Sequence, residues 1–322
     1  MKNDPFKPDV KTISGEKVIV ARGASDDKGQ LMTFIEACRA IKYVNNSLPI
    51  NISILLEGEE ETSSPSLVPF LKKNIDELKC NYAFVCDTGM WDKKTPSITC
   101  SLRGMLSEEI SIKGPNRDLH SGIYGGAVNN PLKIMSKLLT NLHDENGKIN
   151  IPGFYDDVIE VSDNDRKEMA KAPFDINYYK HDLEIDDIHG EEGYSTNERT
   201  SIRPSLDING IWGGYIGEGA KTVLPSKAYA KISMRLVPNQ KSQDITNLFQ
   251  KHFESIAPSS VKVKVTPHHG GEGVVIPTDF PAYLAAKNAM ETTFGKAPIP
   301  VRSGGSIPIV PMFEEVLGLK TI

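Results

Sequence analysis

What this sequence has little of narrows its reading before any motif does. No Lys/Arg cluster alternates with aromatic residues, and 37 Lys plus Arg stand against 42 Asp plus Glu, a net charge of -5. That balance argues against a nucleic-acid partner. Apolar runs are short: "AFVC" at Ala83 to Cys86 is typical, far below the ~18 residues a membrane span needs. The opening "MKNDPFKPDV" carries acids and prolines where an export signal would carry its apolar stretch. Cys38, Cys80, Cys86 and Cys100 form neither a C-x-x-C pair nor a disulfide framework, which fits a reducing cytoplasm. Internal repeats and low-complexity tracts are missing too. The remaining composition, 39% hydrophobic and 25% charged over 322 residues, is that of a globular chain of about two domains.

The first hundred residues alternate strand-like and helix-like segments, which predicts an α/β unit with a mostly parallel sheet flanked by helices. "KVIVAR", "INISILLEG" (Ile50 to Gly58) and "YAFVCD" (Tyr82 to Asp87) read as strands. Leu31, Phe34, Ile35, Cys38, Ile41 and Val44 recur at helical spacing, so Lys28 to about Asn45 reads as a helix, and "SLVPFLKKNIDELK" as the next. After about Arg103 the order becomes β-α-β-β-α-β, from "MLSEEISIKG" through "NPLKIMSKLLTNL", "SLDINGIWG", "KAYAKISMRLVP" and "DITNLFQKHFESI" to an edge strand "VKVKVTP". This predicts an inserted α+β, ferredoxin-like domain. The acidic stretch 155–203 has no periodicity to assign. The predicted boundaries are 1–104 and 271–322 for the first domain, incomplete, and 105–270 for the inserted one.

In open α/β sheets ligands sit at the carboxyl ends of strands, and Asp26, Glu59, Glu60, Glu61 and Asp87 all follow such ends. Taken singly, Asp26 and Asp27 read as helix N-terminal charges, worth ~0.3–1 kcal/mol, the glutamates as a solvated loop and Asp87 as a turn cap. Taken together they repel unless a multivalent cation neutralises them, so a metal site is the better reading, with zinc, manganese and magnesium all open. His120 in "RDLHSGIYGG" reads alone as a surface residue. Arg235 lies on a strand, and its fork suits a carboxylate. His268 and His269 are ambiguous, while His143, His181, His189 and His252 carry no special signal.

Seven stretches in order, "ARGASDDKGQ", "LLEGEEETSS", "VCDTG", "RDLHSGIYGG", "GAKTVLP", "ISMRLVPN" and "SGGSIP", resemble the dinuclear zinc metallopeptidases that include carnosine dipeptidases, glutamate carboxypeptidases and succinyl-diaminopimelate desuccinylases. The resemblance is strongest to the cytosolic carnosine dipeptidase branch and runs from Asn3 almost to Ile322. It implies a catalytic α/β domain interrupted by a lid and dimerisation domain. It also implies two divalent ions, zinc before manganese, with Asp26 bridging them and Glu61 and Asp87 as further ligands. Glu60 becomes the general base, and His120 the histidine that reaches into a partner subunit's site to stabilise an oxyanion. Thr222, Arg235 and Ser306 become the groups that hold a substrate's free carboxylate. A cis peptide between Asp26 and Asp27 is implied as well.

The chemistry fits those roles. Two cations ~3.5–4 Å apart share a water and lower its pKa towards ~7, while a nearby carboxylate takes the proton. The expected reaction is hydrolysis of the amide bond of dipeptides or related N-acyl amino acids by a cytoplasmic homodimer. The alternatives are an N-acyl-amino-acid deacylase, or a noncatalytic piece serving as a dimerisation or binding module. The family's H-x-D motif upstream of "ARGASDDKGQ" and its histidine downstream of "SGGSIP" have no counterpart here. The chain is therefore expected to be an internal piece of a longer enzyme, and on its own to bind metal weakly and to have little or no peptidase activity.

Overall fold

The computed structural model describes residues 4–62 and 64–322. Asn3, where the resemblance starts, and Ser63, inside "LLEGEEETSS", lie outside the described residues. The chain divides into two compact units, Met1–Ser97 with Met312–Ile322, and Ile98–Pro311.

The second unit is built on a four-stranded antiparallel sheet in the order Lys262–Gly271, Gly104–Lys113, Lys227–Leu236, Ser205–Gly213. In chain order that is 4-1-3-2, the ferredoxin-like arrangement the pattern predicts, with "VKVKVTP" at an edge. Alternation does the sorting. Along Gly104–Lys113, Leu106, Glu108, Ile110 and Ile112 turn to the buried face, and along Lys227–Leu236 so do Ala228, Ala230, Ile232 and Met234. Two helices cover that face. In Pro131–Thr140 the Asn130 side chain caps the Leu132 N–H at 2.9 Å and Pro131 opens the first turn, setting Ile134, Met135, Leu138 and Leu139 inward. In Ser242–Ile256, Ile245, Phe249 and Phe253 recur every four residues and are buried with them. Arg235 falls on the opposite face of its strand, paired with Met105 on one side and Ser205 on the other.

This unit continues past residue 270. Val274–Val275 and Ile299–Ser303 flank Ser97–Leu102 in a three-stranded sheet, and the compact unit runs on to Pro311. The unassigned stretch 155–203 contains three short helices, Asp163–Met169, Ile176–Asp182 and Thr196–Arg199, each begun by a capping side chain from Ser162, Asp175 or Ser195. Charge holds it together rather than an apolar stripe. Arg203 bonds both Glu191 oxygens at 2.8 and 2.7 Å and Glu160 at 3.0 Å, and its guanidinium lies 4.3 Å from the Tyr194 ring centroid. Burial works against that charge, but the Glu191 bonds outweigh it and hold Arg203 firmly protonated.

The first unit opens with an antiparallel hairpin, Asp9–Ile13 with Glu16–Val20, turned through Ser14 and Gly15, both at positive φ. The predicted helix follows as Gly29–Asn45, and the next as two pieces, Leu67–Lys73 and Ile75–Leu78, broken at Asn74. Tyr82–Ala83 pairs in parallel with Lys320–Thr321. The strand expected at Ile50 to Gly58 is not formed: the segment joins no ladder among the described residues, and Ile50, Ile52, Ile54 and Leu56 stay exposed. Apolar alternation creates a strand only where neighbours complete the ladder and cover the face. Among the described residues, no helix is long and apolar enough to cross a membrane.

Candidate functional site

The paired aspartates sit in one wide turn, Ala24–Lys28, between the Glu16–Val20 strand and the Gly29–Asn45 helix. The Asp26–Asp27 peptide bond is cis, as the resemblance implies. Both side chains are exposed. The Asp27 charge also acts on Asp87.

The glutamate run separates into two kinds of residue. Glu57 and Glu59 serve the local fold: Glu57 accepts from Ser64 Oγ at 2.5 Å and Glu59 from the Ser66 N–H at 3.1 Å. Glu60 and Glu61, in the single turn Glu60–Thr62, make no such bond among the described residues. Partial burial, then Asp87, Glu61, Glu57 and Asp26, push the Glu60 carboxyl above its ordinary pKa. Burial, then Asp26, Asp27 and Glu61, do the same to half-buried Asp87. Both carboxyls therefore feel the charges of Asp26 and Glu61 through space.

Asp26, Glu60, Glu61 and Asp87 form no salt bridge with any described residue. No set of three His, Cys, Asp or Glu stands in ion-holding geometry among the described residues. The donor chemistry nonetheless fits a divalent cation: Asp26 and Glu61 act on Glu60 and Asp87 and help to raise the pKa of both, the group has no counter-charge among the described residues, and a cation supplies one.

The other predicted residues lie in the second unit as two bonded pairs. His120 pairs with Val223 in a short ladder, and its Nδ1 accepts the Gly122 N–H at 3.1 Å. A ring nitrogen that accepts a backbone N–H carries no proton, so the neutral ring keeps its proton on Nε2, 3.2 Å from Thr222 Oγ1. Gly122 makes this approach possible, because a Cβ there would stand 3.0 Å from His120 Cε1. Arg235 Nη1 donates to Ser306 Oγ at 2.8 Å. Thr222, grouped with Arg235 and Ser306 by resemblance, is hydrogen-bonded to His120. His268 lies 3.7 Å from Glu109 on a strand whose register slips between Pro267 and Gly270.

Sequence reasoning passed over Arg103. Its guanidinium is buried and donates to three main-chain carbonyls, those of Gly304, Arg203 and Arg199, while its own carbonyl accepts from Ser306. The only sequence signal was an isolated arginine at a strand end, which usually faces solvent.

A family model described as a peptidase dimerisation domain matches residues 100–261. The chain is 32% identical to the Cys-Gly metallodipeptidase of Schizosaccharomyces pombe over 98% of its own length and 66% of that protein's, and 31% identical to human Beta-Ala-His dipeptidase over 93% and 60%. It thus spans somewhat under two thirds of each relative. Among solved structures, an M20 family metallo-carboxypeptidase from Sulfolobus solfataricus superposes with a TM-score of 0.83 at 30% identity, covering 94% of this chain and 68% of that one. The dimerisation-domain match spans half the chain, and sequence and structure agree along nearly all of it, so the chain belongs to the M20 family of metallopeptidases.

Proposed function

We propose that the protein acts as a metal-dependent hydrolase on the amide bond of dipeptides or related N-acyl amino acids. The carrying observation is the carboxylate group of the first unit, where Glu60 and Asp87 are held above their ordinary pKa by burial and by nearby carboxylates, with no salt-bridge partner among the described residues. Asp26, Glu61 and Asp87 would hold the metal, Asp26 between two ions. The bound ions, zinc or manganese, would supply a water of lowered pKa and polarise the scissile carbonyl. Glu60, beside a ligand but outside the ligand set, takes the proton from the attacking water and delivers it to the departing amine.

His120 Nε2–H is a donor suited to a developing oxyanion, delivered to the partner subunit's site. Arg235 and Ser306, with Thr222 steadying His120, receive the free carboxylate of the substrate. A homodimer through the 105–270 lid domain belongs to the proposal, supported by the dimerisation-domain match. So does a cytoplasmic setting, supported by four cysteines that are all unpaired. The names of the relatives make Cys-Gly and β-Ala-His the first substrates to try. No observation favours the reading as a noncatalytic module.

The test is release of free amino acids from a dipeptide panel by protein loaded with zinc or manganese. Hydrolysis should require the metal and fall at least ~100-fold in Glu60→Gln, as loss of a general base does. Equal rates in chelator, or in Glu60→Gln, would refute the reading.

A further inference from the structure

Arg103 follows the strand Ser97–Leu102, and as a residue it is 8% exposed. Its guanidinium is planned around carbonyl oxygens rather than a carboxylate. Nε donates to Gly304 O at 3.1 Å, and Nη1 to Arg203 O at 3.1 Å and to Arg199 O at 3.4 Å. Its main chain grips the same loop, N–H to Gly305 O at 3.2 Å and carbonyl from Ser306 Oγ at 2.6 Å. The Ser306 hydroxyl in turn accepts from Arg235 at 2.8 Å. Ser306 is thus fixed between the backbone of one arginine and the side chain of another.

The two arginines differ from their neighbours in charge balance. Arg166 is paired with Glu198, and Arg203 with Glu160 and Glu191. Neither Arg103 nor Arg235 forms an ion pair among the described residues. Burial, and then the Arg235 charge, bring the Arg103 pKa down to about 10, with only Asp207 opposing, so it remains charged at neutral pH. Two guanidiniums held together without an ion-pair partner among the described residues repel each other, and an anion between them would relieve that repulsion. The loop is also shaped for close approach: a Cβ on Gly304 would fall on the Thr200 carbonyl oxygen and 2.9 Å from Arg103 Nη2.

We propose that Arg103 is a positioning residue for carboxylate recognition: it staples the 303–306 loop and the 199–203 segment to its strand, aims Ser306 and Arg235 at the substrate's terminal carboxylate, and adds its own field. The inference rests on the reading of Arg235 and Ser306 as carboxylate-binding groups. Lysine cannot replace it, because an ammonium is a point donor that does not span three carbonyls held in a fork.

The probes are acetylglycine and acetylglycinamide, which differ only in the charge of their end, titrated into the 322-residue protein and followed by NMR. The wild type should prefer the acid at least tenfold. Arg103→Met should lose most of that preference, Arg103→Lys should fall between, and Gly304→Ala should lose it with both arginines still present. A purely structural defect would weaken both ligands alike, and retained amide protection at Ile110 and Ile112 reports an intact sheet. If Arg103→Met unfolds, Arg103→Lys and Gly304→Ala decide. A preference within twofold of wild type in the folded variants overturns the proposal and leaves the pocket standing. A wild type that does not discriminate removes the carboxylate pocket and the proposal together, whereas metal-dependent hydrolysis is judged by its own assay.

Discussion

Glu198→Gln should loosen the segment on which the Arg103 fork closes. Glu198 accepts from Arg166 Nε at 2.5 Å and Nη2 at 3.1 Å, and from Ser195 N and Oγ at 2.7 and 2.9 Å. Those bonds, Arg166 first, bring its pKa from 4.5 down to about 2. At 1.36 kcal/mol per unit the charge is worth about 3 kcal/mol, and the one-third exposure of the Arg166 side chain reduces this to about 2 kcal/mol. The Ile202 N–H, bonded to Glu198 O at 2.9 Å, reports the opening of this turn. Its hydrogen exchange should speed up ~30-fold in the variant at pH 7. The folded pKa is depressed, so the wild-type advantage is full above about pH 4.5 and is lost as pH falls through about 2. Protection within twofold of wild type at pH 7, or a gap that persists at pH 2, would refute the electrostatic account.

Three further outcomes are expected. Zinc or manganese should raise the melting temperature of the protein, and Asp26→Asn or Asp87→Asn should abolish the shift while stabilising the metal-free form through reduced repulsion; calorimetry checks both. Nitrogen NMR of His120 should show Nδ1 unprotonated and Nε2 protonated in the neutral ring, and Gly122→Ala should change that pattern by displacing the ring. Glu108 is 1% exposed, with Oε1 bonded to Thr246 at 2.8 Å and Oε2 without a partner among the described residues, and burial raises its pKa. Its proton is held more tightly folded than unfolded, so wild-type stability should fall as pH rises through the raised value. Glu108→Gln should then be at least as stable as wild type at pH 8, with the difference vanishing towards pH 4 in thermal melts.

Legibility in the sequence followed the range of the interaction that sets each element. The inserted sheet was readable because "SEEISIKG" and "KAYAKISMRL" alternate faithfully, and because Ile245, Phe249 and Phe253 keep helical period against one buried face. The segment Ile50 to Gly58 has the same kind of alternation and yet forms no strand, since a ladder depends on the neighbour as much as on the segment. Stretch 155–203 offered no period because its order comes from Arg203 with Glu160 and Glu191, and from Arg166 with Glu198, pairs 12 to 43 residues apart.

The same distinction explains which site residues could be named in advance. Asp26, Glu60, Glu61 and Asp87 are exposed or half-buried carboxylates grouped in short motifs, and a repulsive cluster is visible as composition before any geometry is known. Arg103 was invisible because its partners are main-chain carbonyls, which leave no residue signature: nothing in the identity of Arg199, Arg203 or Gly304 announces an acceptor aimed at residue 103. Only Gly304 carries a trace, and its meaning depends on the Thr200 carbonyl that a Cβ would strike. A charge matched by side chains can be sought by pairing letters, whereas a charge solvated by backbone has to be found in space. Arg103 and Arg235 therefore read as two unrelated arginines until Ser306 joins them, and that neither has an ion-pair partner among the described residues becomes apparent only then.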